Sequence, residues 1–107
     1  MKAIVVTDPA AGTAGMKLVD RPEPQAAIND VVVEVYAAGF VNTELEWPST
    51  WADRAFRERT PSILGHELAG VVTALGYGTT GLSIGQRVVG LSDWHRDGTL
   101  AEYVAME

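Results

Sequence analysis

The sequence predicts a mainly β domain, a small, twisted and partly open barrel with one or two short helices, and three observations carry that expectation. Apolar, β-branched runs of strand length recur at Lys2 to Thr7, Val31 to Ala37, Leu68 to Leu75 and Gln86 to Leu91. Glycine and proline punctuate the chain between them. The alternation of strands with long helical patterns that marks a parallel sheet is missing.

Taken in order, Lys2 to Thr7 reads as the opening strand. Pro9 and Gly12 break it, Gly15 closes a loose turn, and Met16 to Val19 returns as a hairpin partner. Arg21-Pro22-Glu23-Pro24 is stiff and extended, because each proline biases its predecessor away from helix. Asp30 introduces a half-buried strand in which Val31, Val33 and Val35 share one face and Glu34 and Tyr36 the other. Gly39 ends it. Thr43 and Glu46 have capping-box spacing, so a helical turn is expected to start there and to stop at Pro48. Ser49 or Thr50 then caps a second short helix, with Trp51, Ala55 and Phe56 on its apolar side and Asp53, Arg54, Arg57 and Glu58 on its polar side. Pro61 ends that helix. Asp97-Gly98 signals a turn, and Thr99 to Met106 reads as the last strand.

A chain of 107 residues, 47% hydrophobic and 21% charged, suits one ordinary globular domain with a modest core. Its net charge of −6 argues against nucleic acid and against an anionic membrane surface, both of which select basic patches. The chain has no cysteine, which removes disulfides and thiolate zinc sites. No apolar run approaches the ~20 residues of a membrane span. Met1-Lys2-Ala3-Ile4 leads straight into a strand pattern rather than a signal peptide, so a cytoplasmic location is expected. The last strand runs up to Glu107, which reads as a boundary inside a longer protein.

The richest stretch for chemistry runs from Pro61 to Val89. Gly76-Tyr77-Gly78-Thr79-Thr80-Gly81 has the spacing of a dinucleotide fingerprint, but that motif must open a helix. Here Leu82, Ile84 and the run at Arg87 continue as strand, so a glycine-rich connection between strands is expected. His66 and Glu67 are adjacent and can serve as metal ligands or proton carriers. Zinc usually takes three protein ligands, however, and neighbouring residues on a strand point opposite ways. The alternative is a structural pair, with His66 bonded to backbone and Glu67 to an arginine such as Arg87. Phe40, Trp47, Trp51 and Trp94 suit either an apolar pocket or the core. Thr43 follows a strand and can relay a proton, donate to an oxyanion or act as a plain N-cap. Glu44 and Glu46 read as a solvated face.

Gly65-His66-Glu67-Leu68-Ala69-Gly70 resembles the G-H-E-x-x-G signature of the zinc-type alcohol dehydrogenases, within the medium-chain dehydrogenase/reductase superfamily. Gly85-Gln86-Arg87-Val88 is similar to the family's G-D-x-V turn, and Gly98-Thr99-Leu100-Ala101-Glu102-Tyr103 to its G-x-x-A-E-Y stretch. Met1 to Val6 and Asp30 to Gly39 resemble its opening strand and the strand leading to its active site. The resemblance implies that residues 1–107 form the N-terminal catalytic domain, a barrel similar to the co-chaperonin GroES. In the family a Rossmann domain follows and binds NAD(P); it is absent here. Where zinc-dependent members read close to G-x-C-H-T-D, this chain has Gly39-Phe40-Val41-Asn42-Thr43-Glu44, so Val41 replaces the metal-binding cysteine. Thr43 matches the hydroxyl that handles the substrate proton, and His66 and Glu67 match the ligand and near-ligand positions. The four-cysteine lobe of the structural zinc is missing between Gly90 and Gly98.

These departures are similar to the zinc-free quinone oxidoreductase branch, whose members commonly use NADPH, although His66 is kept. The expectation is an NAD(P)H-dependent oxidoreductase, zinc-free and with NADPH preferred, that reduces an activated carbonyl, enone or quinone. The fragment alone is expected to be inactive. His66, Glu67, Thr43 and Asn42 are its expected catalytic residues, with Thr43 and Asn42 donating hydrogen bonds to the developing oxyanion. Phe40, Trp47 and Trp94 are its expected substrate wall. The expected partner is a small molecule, and the parent protein a homodimer. Two alternatives stay open: a zinc alcohol dehydrogenase with a rearranged site, and a non-enzymatic GroES-like binding module.

Overall fold

The computed structural model describes residues 1–107. The β-branched runs form β1 (Lys2–Val6), β2 (Lys17–Asp20), β3 (Val31–Gly39), β5 (Glu67–Leu75), β6 (Arg87–Leu91) and β7 (Tyr103–Met106). A two-residue strand, β4 (Ser62–Ile63), one helical turn, α1 (Pro48–Trp51), and 3-10 segments at Pro9–Gly15 and Asn42–Glu46 complete the set. Two antiparallel sheets result. One is ordered β2-β1-β4, the other β6-β5-β3-β7. They meet where Ala3 bridges Ala101 and where Ile4 N donates to Leu100 O at 2.8 Å. The expected twisted, partly open β architecture is what the chain adopts.

The alternation of β3 works as expected at its start. Val31 and Val33 pack with Leu68, Val72, Val104 and Met106 in the largest core cluster, and Val35 lies against it. Full burial of such side chains contributes roughly 1.5–3 kcal/mol each. Val32, on the opposite face, is buried as well, and lines a hollow with Glu23, Pro24, Gln25 and Ala26. Register shifts at Val32/Val33 and between Val35 and Ala37 mark bulges, which bend a strand and increase its twist. A second cluster, Val6, Leu45 and Leu64, is flanked by Phe40 and Trp51 and underlies the loop between β3 and β4.

That loop departs from expectation. A 3-10 turn covers Asn42–Glu46, but Thr43 does not cap it. Glu44 N donates to Val41 O at 3.0 Å, and Val41 N donates back to Glu44 Oε2 at 3.3 Å. The turn ends at Glu46, short of Pro48 as expected, and Pro48 itself opens α1, so that Trp47 rather than Ser49 or Thr50 stands at its N-cap. The helix expected through Phe56 ends at Trp51, because the Asp53 carboxylate accepts from Ala55 N and Arg57 N and folds the chain into a turn. Phe56 sits there with φ 62° and is 92% exposed, so it is not core. The last strand begins at Tyr103 rather than Thr99, since Gly98, Thr99 and Leu100 donate instead to the carbonyls of Ile63, Gly65 and Leu64.

Two charge clusters, neither expected and both partly buried, hold the loops. Asp30 is 1% exposed and takes a bidentate grip from Arg96, at 2.9 and 2.7 Å, while Asp30 Oδ2 also accepts from Ala27 N. Asp97 accepts from Arg21, Arg59 and Ile63 N, which ties the turn before Gly98 to β4. The Arg96 hydrogen bond holds the Asp30 carboxyl below its ordinary 3.8 despite burial. A depressed folded value means stability that is present above the ordinary value and is lost as pH falls through the folded one. Asp30→Ala is expected to cost about 2 kcal/mol, because it removes charge-assisted hydrogen bonds to a half-exposed guanidinium and leaves Ala27 N unpaired. Urea unfolding at neutral pH checks this, and the gap between variant and wild type should close in strong acid.

Candidate functional site

His66 is placed by a backbone clamp. Gly65 adopts φ +87°, which is open to glycine at little cost, and turns the chain just before β5 begins. Gly98 packs so closely on this bend that an added Cβ would lie 2.7 Å from Leu64 O. Thr99 N donates to Gly65 O at 2.7 Å, and Ser92 N donates to His66 O at 2.8 Å. β5 then alternates from its first residue. His66 points inward and is 3% exposed, while Glu67 points outward and is exposed, its side chain lying against Gly39. The two adjacent residues therefore do not share one site.

The partner of His66 is Glu44. Read from sequence as part of a solvated face, Glu44 is 3% exposed, whereas Glu46 does face solvent. Glu44 Oε1 accepts from Gly65 N at 2.9 Å and lies 3.6 Å from His66 Nε2. Its carbonyl accepts from Thr50 Oγ1 at 2.6 Å. On the other side of the ring, His66 Nδ1 and Ser92 Oγ are hydrogen-bonded at 3.1 Å. Nε2 is buried without a hydrogen-bond partner. The Trp47 indole stacks on the imidazole, with centroids 6.0 Å apart and planes at 18°, and Trp94 tilts against Trp47 at 5.7 Å.

Burial pushes the His66 imidazolium down from its ordinary 6.5. Glu44 and Asp93 oppose that shift and Arg59 reinforces it. The ring is therefore neutral at pH 7, with one nitrogen a donor and the other an acceptor.

The other sequence candidates lie around this cluster. Asn42 and Thr43 are exposed on the same 3-10 turn as Glu44. Trp47 is half-buried over His66, and Trp94 is 54% exposed. Phe40 is half-buried and packs on Val6, Leu45 and Leu64 beneath the loop. Ser92 and Glu44 are the members that sequence reasoning missed.

No third His, Asp or Glu joins Glu44 and His66 in a metal-sized cluster. One imidazole nitrogen and one carboxylate, with Val41 where a thiolate would stand, do not fill a tetrahedral zinc site by themselves. The glycine-rich segment after β5 leads into β6 with no helix between them, so it offers no helix N-terminus to a pyrophosphate. What the cluster can do is present one oriented imidazole, backed by a buried carboxylate and covered by an aromatic wall.

Residues 27–107 match the family described as the alcohol dehydrogenase GroES-like domain. The L-threonine 3-dehydrogenase of Saccharopolyspora erythraea is 39% identical over 92 residues, covering 84% of this chain and 25% of that protein. Among solved structures, the quinone oxidoreductase from Coxiella burnetii superposes with TM-score 0.77 at 26% identity, covering all of this chain and 34% of the other. A putative zinc-dependent alcohol dehydrogenase from Rhizobium etli gives 0.81 at 27% identity, covering all of this chain and 30% of the other. The chain thus spans about a quarter of the length of its curated relatives.

Glu44→Ala should destabilise the chain by about 3 kcal/mol, since it strands the buried N–H of Gly65 and loses a charged hydrogen bond. Glu44→Gln, which keeps an acceptor, should cost clearly less. His66 adds a pH dependence. The unfolded chain takes up a proton near 6.5 and the folded chain resists it, so stability should decline as pH falls through that value. His66→Gln should flatten this part of the profile when urea midpoints are measured against pH.

Proposed function

Because the chain belongs to the alcohol dehydrogenase GroES-like domain family, we propose that it is the substrate-side catalytic domain, residues 1–107, of an NAD(P)-dependent oxidoreductase that works without zinc. The observation that carries this reading is the buried, neutral His66, held by Ser92 and Glu44 and left with an unpartnered Nε2. A reduced nicotinamide, held by residues outside this chain, supplies the hydride when bound.

The task of this chain is to receive the substrate oxygen on which negative charge develops. Without a metal as Lewis acid, that oxygen needs hydrogen-bond donors already in place. Asn42 and Thr43 offer an amide and a hydroxyl at the exposed turn, and His66 offers a ring nitrogen behind them. Water is the proton source. Trp47 and Trp94 form the apolar wall that excludes bulk solvent, and Phe40 supports the loop from beneath. Glu67, which faces away from His66, acts only through the loop geometry around Gly39. Donors of this strength suit activated acceptors, namely enones, quinones and activated carbonyls. The preference for NADPH and a homodimeric parent complete the proposal.

A second reading makes the parent a zinc-dependent dehydrogenase, with His66 and Glu44 joined by ligands from outside this chain. The superposition on the Rhizobium etli protein favours it. Zinc analysis of the full-length protein separates the two. One zinc per active site, lost together with activity on chelation, supports the second reading.

Under the first reading, Thr43→Val in the full-length enzyme should lower turnover at least several-fold, because one oxyanion donor typically contributes ~10²-fold and Thr43 shares the oxygen with others. Steady-state kinetics check this, and an unchanged rate removes Thr43 from the mechanism.

A further inference from the structure

The contact between Ser92 and His66 has a direction. The hydroxyl lies at the end of β6, 6% exposed, and Nδ1 of His66 is its one hydrogen-bond partner. A buried hydroxyl has one proton to donate and lone pairs to accept with. If Nδ1–H donated to it, its own proton would have no acceptor, and an unpaired buried donor is costly. If the hydroxyl donates to Nδ1, both atoms of that contact are used, and the imidazole proton must sit on Nε2.

The opposite edge of the ring agrees. Nε2 faces Glu44 Oε1 at 3.6 Å. A carboxylate oxygen that only accepts is favourable opposite an N–H and repulsive opposite a nitrogen lone pair. Glu44 is itself oriented by Gly65 N and Val41 N, so it does not turn away. Two independent neighbours, on opposite edges of the ring, thus select the same tautomer.

We propose that Ser92 is a positioning residue that holds His66 as the Nε2–H tautomer, so that this imidazole turns an N–H toward Glu44 and offers no lone pair to a metal. The proposal rests on the zinc-free reading of the site and deepens it, because a nitrogen that carries a proton has no lone pair for a metal. Ser92 does not touch the substrate. It acts by keeping the Nε2 proton turned toward Glu44, and so steadies the loop that carries Asn42 and Thr43.

Nitrogen-15 NMR of histidine-labelled full-length protein tests it. In the wild type, His66 should show a pyrrole-like Nε2 and a pyridine-like Nδ1. Ser92→Ala keeps the backbone bond from residue 92 to His66 O, so the fold survives, but the two nitrogens should shift toward averaged values. Ser92→Thr should restore the wild-type pattern. In parallel, Ser92→Ala should lower kcat about tenfold with KM little changed, less than the ~10²-fold loss of a whole oxyanion donor, and Ser92→Thr should recover it. A wild-type His66 with its proton on Nδ1, or a pattern that Ser92→Ala leaves unchanged, overturns the proposal. Failure of the oxidoreductase reading would appear separately, as wild-type protein that does not consume reduced nicotinamide whatever the tautomer.

Discussion

A buried carboxylate holds the site together. Glu44 sits in a loop with little regular structure of its own, yet it is as buried as the core valines. An ionised group in that position is tolerated only if its oxygens are well used. One oxygen takes Gly65 N, the other takes Val41 N, and the first also faces His66. These contacts tie the turn after β3 to the start of β5. Without them the loop carrying Asn42, Thr43 and Trp47 has no fixed relation to the imidazole.

The sheets explain why the clamp can be rigid. β3 and β5 pair along their whole lengths, with Gly39 opposite Glu67 and Val31 opposite Leu75. The loop therefore leaves β3 at the same end of the sheet at which His66 enters β5. β6 runs back along β5 with Leu91 opposite Glu67, which brings Ser92 beside His66. The third side is closed by residues 98–100 on the backbone of Ile63, Leu64 and Gly65. Three elements distant in sequence thus converge on one ring: main-chain hydrogen bonds hold Ser92 and residues 98–100, and the Glu44 carboxylate holds the loop after β3. The side chains that would do chemistry are left free to be polar and partly exposed.

The strands were legible because burial imposes a period of two on them, which β5 and β6 carry openly, and because β1 and β3 are β-branched runs of strand length. The hairpin of β1 and β2 and the glycine-rich link between β5 and β6 follow from turn chemistry visible in the residues themselves. The loop from Phe40 to Pro61 was not legible in the same way. Trp51, Ala55 and Phe56 have helical spacing, but the Asp53 side chain competes for the backbone N–H groups of Ala55 and Arg57 and ends the helix early. Glu44 looked solvated because two acids close together usually are, and its main partner, Gly65 N, is 21 residues away. His66 was singled out from its motif, and its separation from Glu67 followed from alternation. Ser92 carried no local signal. Only the β5–β6 register, laid out residue by residue, would have placed it next to His66.

The central claim is that this chain supplies the substrate side of a nicotinamide-dependent reduction. The most direct measurement is reduced-nicotinamide consumption by the full-length protein, with NADPH and NADH in turn, against a panel of quinones, enones and activated aldehydes. The account predicts turnover with at least one of these acceptors, faster with NADPH. A full-length protein that neither binds nor oxidises either cofactor would contradict it, and would turn attention to a binding role for the domain.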